Sequence, residues 1–562
     1  MNEESEIQEL APWLVVVITL IGGGLRVVLL ANKGMWLDET FSVWLANHNV
    51  ADMLHWIATI DQHPPLYYLL LHYWIALKGD TPYYVRLLSV LFGMGTIPIM
   101  YLIGKRMSGA VMGLAAAVFL AFSPFNIFFA QETRMYTCLT FNAAVAIYAL
   151  VRLLTDSRST RPIGGQFREY LRTWRTPGPV EPQPTKGYFS YKDKVRNQAG
   201  WRGWFFRHRW SPIQTIETDL AWVALVLFSA ATLLCHNTAV LFLVAINVFV
   251  LGLMLVQRRS KSGPPPSFQA PSFGNWGKAQ IGILILWSPW LVAFVRQVSG
   301  VYHEFWLPSP GWDTVLQAIA SFLNASLPGL SGEMTVMWIL YALVLGLGLV
   351  HYRKRMSRFL LLAALFAIPF LGELAVSIRR PIFLDRTLIW TTIPLLLILA
   401  AGIVQLRFRF LMIAVVGILA TNNLFAASDY YRFVQKEDWS TAAGYVAKFA
   451  EKDDLVLFNS TFVQIPFDYY FEDWENLYSI QVEKHGLPLD LFESGIVEPR
   501  MTTDDIPRLT SLISGRQRVW LVYSHDWYTD PLGLIPQTLA SRMTLLRQRD
   551  FYGGKVQLYG TP

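Results

Sequence analysis

Long apolar runs recur along this chain, and they leave it few folds to choose from. A helix needs about twenty predominantly apolar residues to cross hydrocarbon, and roughly eleven stretches qualify or nearly do: 12–30, 83–104, 108–124, 135–153, 218–234, 238–256, 279–295, 334–350, 358–375, 388–404 and 409–427. The composition agrees, since 53% hydrophobic and only 15% charged residues, with a mean hydropathy of +0.34, exclude a water-soluble globule. The expected class is a polytopic α-helical membrane protein with about 11 transmembrane helices. The run 66–77 is only about twelve residues and too short to cross, so it is read as interfacial or re-entrant. Residues 39–60 mix Trp and Phe with Asn, His and Asp, the pattern of short helices lying in the interface.

Beyond 428 the composition turns to that of a soluble domain. An amphipathic pattern at 439–449 and buried-strand patterns at 455–458 and 519–523 predict a small α/β fold there. The expected organisation is therefore a membrane domain, 1–427, with a first loop at 31–82 and a long basic loop at 154–217, followed by a soluble domain, 428–562. The acidic N-terminus lacks the basic flank of a signal peptide, so the first span is expected to stay as an anchor.

The net charge of +7 does not point to nucleic acid, because the basic residues gather in short loops between spans and no nucleic-acid motif accompanies them. With the N-terminus cytoplasmic and 66–77 not crossing, Lys105 and Arg106, the arginine-rich 152–215, Arg258 and Arg259, the cluster 351–355 and Arg407 to Arg409 all fall inside. The C-terminal domain then lies outside, in a multi-pass protein of the cell membrane. Pro264, Pro265 and Pro266 mark a second cytoplasmic segment, which like 155–215 reads as a solvated loop beside anionic lipid. Cys138 and Cys235 both sit in apolar runs and supply neither a disulfide framework nor a zinc site.

The same count brings three polar clusters to one outer face. The first is Asp38-Glu39, after the first span; the second is Asp61-Gln62-His63-Pro64-Pro65-Leu66-Tyr67-Tyr68; the third is Gln131-Glu132-Thr133-Arg134-Met135-Tyr136. Ionisable groups beside hydrocarbon are costly to keep, which makes their convergence a site hypothesis. Arg386 opens a span on the outer face, where orientation in the membrane gives no reason for an arginine, so it is read as a phosphate ligand. Arg134 and His63 are further candidates for that phosphate, with Arg86 and Arg26 behind them, although Arg26 also fits a snorkelling role. His236-Asn237 reads as a turn and the aromatic cluster 302–306 as an interfacial anchor.

An Asp-Glu pair after the first span, then His-Pro-Pro-Leu-Tyr-Tyr, then Gln-Glu-x-Arg-x-Tyr, resembles the GT-C glycosyltransferases related to the protein O-mannosyltransferases and the lipid A aminoarabinose transferase. The resemblance spans about 12–425 and is most specific before residue 140. It implies an integral-membrane, inverting glycosyltransferase that moves a sugar from a polyprenyl-phosphate donor to a protein, lipid or glycan acceptor on the extracytoplasmic face. It also implies that Asp38 is the general base.

The chemistry asks for the same parts. A hydroxyl attacking an anomeric carbon needs a positioned carboxylate, and a departing lipid phosphate needs a cationic partner. Asp38 and Glu39 are the candidate catalytic residues, Glu39 as an orienting group or a ligand. His63, Tyr67, Gln131, Glu132, Arg134, Tyr136 and Arg386 are the candidate substrate contacts. Asp38, Glu39, Glu132 and His63 also offer donors suited to Mg²⁺, Mn²⁺ or Zn²⁺, and the resemblance does not decide whether a divalent cation is needed. A transporter or lipid flippase would also account for many spans and intramembrane charges, but it predicts an internal repeat, and none is evident.

Overall fold

The computed structural model describes residues 3–61, 63–156, 159, 218–259, 267–300, 309–324, 335–478, 481–491, 493 and 499–561. The basic loop, the proline cluster 264–266 and the aromatic cluster 302–306 lie outside these residues.

The protein is a multi-pass membrane protein. Among the described residues, eight helices are long and apolar enough to span, and a ninth span forms if one bent pair is taken together. Two shorter apolar helices, Thr218–Leu233 and Val336–Tyr352, accompany them. The first helix, α1, runs Glu3–Val27, so it begins ahead of the expected start at 12 and closes before 30, where Leu29 takes a left-handed backbone. The segment that follows folds as two short helices, α2 (Leu37–Asn47) and α3 (Val50–Thr59), and then α4 (Leu66–Lys78), whose 13 residues are too few to cross. Next come α5 (Pro82–Ser108), α6 (Ala110–Ala121), α7 (Pro124–Ala130) and α8 (Tyr136–Thr155).

The span expected over 108–124 ends as a helix at Ala121, and a second short helix turns away from it. Helices α6 and α7 meet at 56°, because Pro124 has no N–H to continue the ladder and Ser123 caps the new helix by accepting from Asn126 N. The break frees carbonyls within apolar surroundings, and a buried arginine satisfies them. Arg26 is fully buried and donates to Ala121 O and Leu120 O, both at 3.0 Å, and to Gly22 O at 2.8 Å. It therefore neither snorkels nor reaches a phosphate; it terminates α6.

The helix Arg409–Phe433 continues past the boundary expected at 427 and delivers the chain to the C-terminal domain. That domain is built on a five-stranded sheet in the order β2-β1-β3-β5-β4, from β1 (Leu455–Phe458), β2 (Glu483–Gly486), β3 (Arg518–Tyr523), β4 (Thr544–Phe551) and β5 (Gly554–Gly560). The first three strands are parallel, and β5 and β4 form an antiparallel hairpin beside them. Alternation along the strands divides the core between the two faces. Val456, Phe458, Trp520 and Val522 pack on the helices Trp439–Phe449 and Gln464–Tyr478, while Leu455, Leu457, Val519 and Leu521 pack on Ile506–Ile513 and Leu534–Ala540.

The sheet domain is seated on the first loop. Met35 N donates to Tyr470 Oη at 2.8 Å, and the rings of Phe41 and Phe462 lie 6.1 Å apart edge to face. Gly34 passes so close that a Cβ there would sit 2.6 Å from the carbonyl oxygen of Glu437, which only glycine permits.

Candidate active site

Three connections converge where the sheet domain meets the spans: α1 to α2, α3 to α4, and α7 to α8. Asp38 and Glu39 occupy the first turn of α2, one residue and therefore about 100° apart on the helix. That rotation sends them to different surroundings.

Glu39 points inward and is fully buried. Arg86 of α5 grips it with a fork, Nε to Oε1 at 2.8 Å and Nη2 to Oε2 at 2.7 Å. Thr133 N donates to Oε1 at 2.9 Å and Lys436 Nζ to Oε2 at 3.0 Å. Burial alone would push this carboxyl up, but the charges of Arg86 and Lys436, with the hydrogen bonds from Arg86 and Thr133, hold it at about 2. Arg86 also donates to Leu30 O, Lys33 O and Gly34 O at 2.8–2.9 Å, so this one pair shapes the whole 30–39 turn. With both oxygens occupied, Glu39 is a brace. The catalytic and metal-binding roles expected beside Asp38 do not fit its placement, and Arg86 is no longer available to a phosphate.

Asp38 remains partly exposed. Its carboxylate meets Arg386 Nη1 at 3.3 Å, and the two side chains are 27% and 20% exposed, whereas Glu39, Glu132 and Asp61 are 0%, 2% and 7% exposed. Of these four acids, Asp38 is the one a substrate can reach. The Arg386 guanidinium lies 5.8 Å from the ring of Trp36 and 6.0 Å from that of Tyr136, which orient it without neutralising it.

The third cluster lies beside this pair. Arg134, buried, donates to Asp38 O at 3.3 Å, Ser42 Oγ at 3.2 Å and Tyr68 Oη at 3.3 Å, while its Nε has no partner among the described residues. Glu132 sets Oε1 3.3 Å from Lys436, and its Oε2 is likewise buried without a partner there. Burial raises the Glu132 carboxyl, and the charge of Glu39 adds to that against the opposing pull of Lys436 and Arg386. Unsatisfied polar atoms on two neighbouring side chains are what a site for a polar ligand leaves behind.

Other candidates are built into the frame. The Gln131 amide donates to Arg26 O and Val28 O and accepts from Tyr430 Oη, which ties the end of α1 to the helix Arg409–Phe433. Tyr67 is fully buried on Ser89 Oγ at 2.8 Å. Neither presents a group to a substrate. His63 bonds Asp61 at 2.8 Å and faces the ring of His236 at 5.1 Å. His236, expected to be no more than a turn residue, thus stands against the second cluster.

Lys436 and Ser42 were not legible as site residues. Lys436 lies in a stretch without any motif, and its contacts arise only when the sheet domain folds back. Cys138 and Cys235 lie with sulfurs 3.6 Å apart, buried and free. Among the described residues no three His, Cys, Asp or Glu side chains gather closely enough to hold a metal, and the candidate ligands Glu39, Glu132 and His63 are engaged with Arg86, Lys436 and Asp61. As placed, these donors do not converge on a divalent cation.

A family model described as dolichyl-phosphate-mannose-protein mannosyltransferase matches residues 62–163, the part that carries the third cluster and all of the second but Asp61. A search of curated proteins gives no match. Among solved structures, ArnT from Cupriavidus metallidurans in the apo state superposes with a TM-score of 0.58 at 13% identity, covering 97% of each chain. ArnT bound to undecaprenyl phosphate gives 0.55 at 14% identity, again over 97% of each chain. The archaeal oligosaccharyltransferase AglB from Archaeoglobus fulgidus, in complex with an inhibitory peptide and a dolichol-phosphate, gives 0.47 at 10% identity, covering 98% of this chain and 74% of that one. The chain has the GT-C fold, and the resemblance drawn from the order of its motifs is borne out at that level.

Proposed function

We propose that the protein is an inverting glycosyltransferase that moves a sugar from a polyprenyl-phosphate donor to a hydroxyl acceptor on the extracytoplasmic face. The carrying observation is the Asp38–Arg386 pair, an accessible carboxylate and an accessible guanidinium 3.3 Å apart, while Glu39 and Glu132 are held in buried pairs with Arg86 and Lys436. The fold shared with ArnT, one of whose structures is bound to undecaprenyl phosphate, supports a lipid phosphate as the leaving group. The same fold favours a transferase over the transporter or flippase alternative.

In this reading the donor phosphate takes Arg386 from Asp38 and frees the carboxylate. The acceptor oxygen attacks the anomeric carbon from the face opposite the phosphate, its proton passes to Asp38, and the bond from the anomeric carbon to the phosphate oxygen breaks. The polyprenyl phosphate leaves as an anion held by Arg386. Arg134 contributes its unpartnered Nε to the sugar or the phosphate, Glu132 Oε2 accepts from a sugar hydroxyl, and Tyr136 and His63 line the approach. The membrane itself presents the prenyl chain.

Donor affinity tests the phosphate role. Arg386→Ala is expected to weaken binding about ten- to a hundredfold, the loss of a charge-assisted hydrogen bond worth about 1.5–3 kcal/mol, and Lys at this position should restore only part, since a point charge lacks the fork. Unchanged affinity in the Ala variant would make the residue structural.

Sidedness is tested by labelling. A cysteine at the exposed Ser541 should react with an impermeant thiol reagent in intact cells, and one at the exposed Lys354 only after lysis, with the buried Cys138 and Cys235 left in place. The reverse pattern would remove transfer on the outer face from consideration.

A further inference from the structure

The segment 434–438 leaves the last span and enters the sheet domain, and on the way it touches the acidic motif twice. Lys436 is 5% exposed, with Nζ at 3.0 Å from Glu39 Oε2, 3.3 Å from Glu132 Oε1 and 3.5 Å from Gln131 O. An ammonium has three donors, and here each faces an acceptor. Lys436 thus bridges the brace, Glu39, and Glu132, two acids that would otherwise repel.

The next residue holds the start of α2. Trp36 at the N-cap supplies no side-chain cap, and Glu437 Oε2 accepts instead from Leu37 N at 3.2 Å, one residue before Asp38. A carboxylate at a helix N-terminus satisfies an orphan donor and complements the helix dipole. Glu437 is itself held from the sheet domain, by Trp439 Nε1 at 2.7 Å and by His525 Nε2, after β3, at 3.3 Å. Gly553, at φ +103° in the β4–β5 turn, passes so near that a Cβ would lie 2.8 Å from Glu437 Cγ, and Asp438 N donates to Tyr552 O at 2.9 Å.

We propose that Lys436 and Glu437 are positioning residues for the transfer, Lys436 acting through Glu39 and Glu132 and Glu437 through the first turn of α2, so that the C-terminal domain sets the geometry of Asp38. This rests on the glycosyltransferase reading above. It gives the sheet domain a part in the reaction without any contact to the reacting atoms. It also predicts a signature in pH. The groups facing Glu132 are Lys436, Glu39, Arg386, Tyr430 and Tyr136. Removing Lys436 leaves Glu132 buried beside Glu39 with less positive charge, so it takes up a proton at higher pH. Glu132 accepts from a sugar hydroxyl only as a carboxylate, so its protonation then moves the acid limb of the turnover profile upward.

The test uses the full chain, purified, with a lipid-linked donor, comparing wild type with Lys436→Met, Lys436→Arg, Glu437→Ala and Glu437→Gln. Lys436→Met should lower kcat about ten- to a hundredfold, as a small displacement of a catalytic group does, with little change in the donor KM. Its acid limb should rise. Lys436→Arg should recover most of the turnover, and Glu437→Gln, still an acceptor, should keep more activity than Glu437→Ala. Wild-type kcat and an unmoved pH profile in Lys436→Met would overturn the proposal while the transferase reading stands. So would equal losses in Met and Arg that track only thermal stability. Should the Lys436 variants fail to fold, equal activity of the Glu437 Ala and Gln variants would overturn it. A wild-type protein that transfers no sugar from any lipid-phosphate donor overturns the transferase reading and this proposal with it.

Discussion

Asp38→Asn is expected to slow sugar transfer by about 10²–10⁴-fold, the usual contribution of a general base, while folded yield stays close to wild type. The amide keeps the shape and loses only the ability to take the acceptor proton. Donor affinity should be unchanged or slightly tighter, because Arg386 no longer has to leave a carboxylate 3.3 Å away before it meets the phosphate. Separate measurement of kcat and donor binding tells this from a packing defect. Turnover near wild type in the Asn variant would remove Asp38 from the mechanism.

The second large effect is on stability. Arg86→Met should destabilise the fold by about 3–5 kcal/mol, since breaking a buried pair strands its partner's charge. The stranded group is Glu39, fully buried, left with Lys436 and Thr133 N alone. Adding Glu39→Gln to Arg86→Met should recover part of that loss, because no unpaired carboxylate then remains. It should not recover all of it, because the three carbonyls that Arg86 holds at Leu30, Lys33 and Gly34 stay unsatisfied. Thermal unfolding in detergent reads both steps, and a double variant less stable than the single one would contradict the account of the pair.

The same pair sets an acid limit. The Glu39 carboxyl is depressed from its ordinary 4.5 to about 2, so its contribution to stability is present above the unfolded value and is lost as pH falls from about 4.5 through about 2. Wild type should lose stability across that window, and Glu39→Gln should show a shallower decline there.

The membrane class, the short helix at 66–77 and the three clusters were legible because hydropathy and a few rigid spacings carry them. What spacing does not carry is direction. Asp38 and Glu39 are adjacent in the chain, yet one stays partly exposed beside Arg386 and the other turns into a buried fork, a difference fixed by Arg86 on α5 and Lys436 far along the chain. Gln131 and Tyr67 belong to the motifs, but their polar atoms are used up by Arg26, Val28, Tyr430 and Ser89. The break after α6 had a local signal in Ser123-Pro124, overridden in a hydropathy reading because the residues around it are uniformly apolar. Lys436 had none, since it becomes a site residue only through the docking of the sheet domain on the first loop.

The most direct measurement follows both products of one turnover. Purified wild-type protein, given a polyprenyl-phosphate sugar and a membrane extract as acceptor, should release one polyprenyl phosphate for each sugar transferred, with the anomeric configuration inverted, and Asp38→Asn should release almost none. Retention of configuration, or equal release by the Asn variant, would contradict transfer by direct displacement with Asp38 as the base.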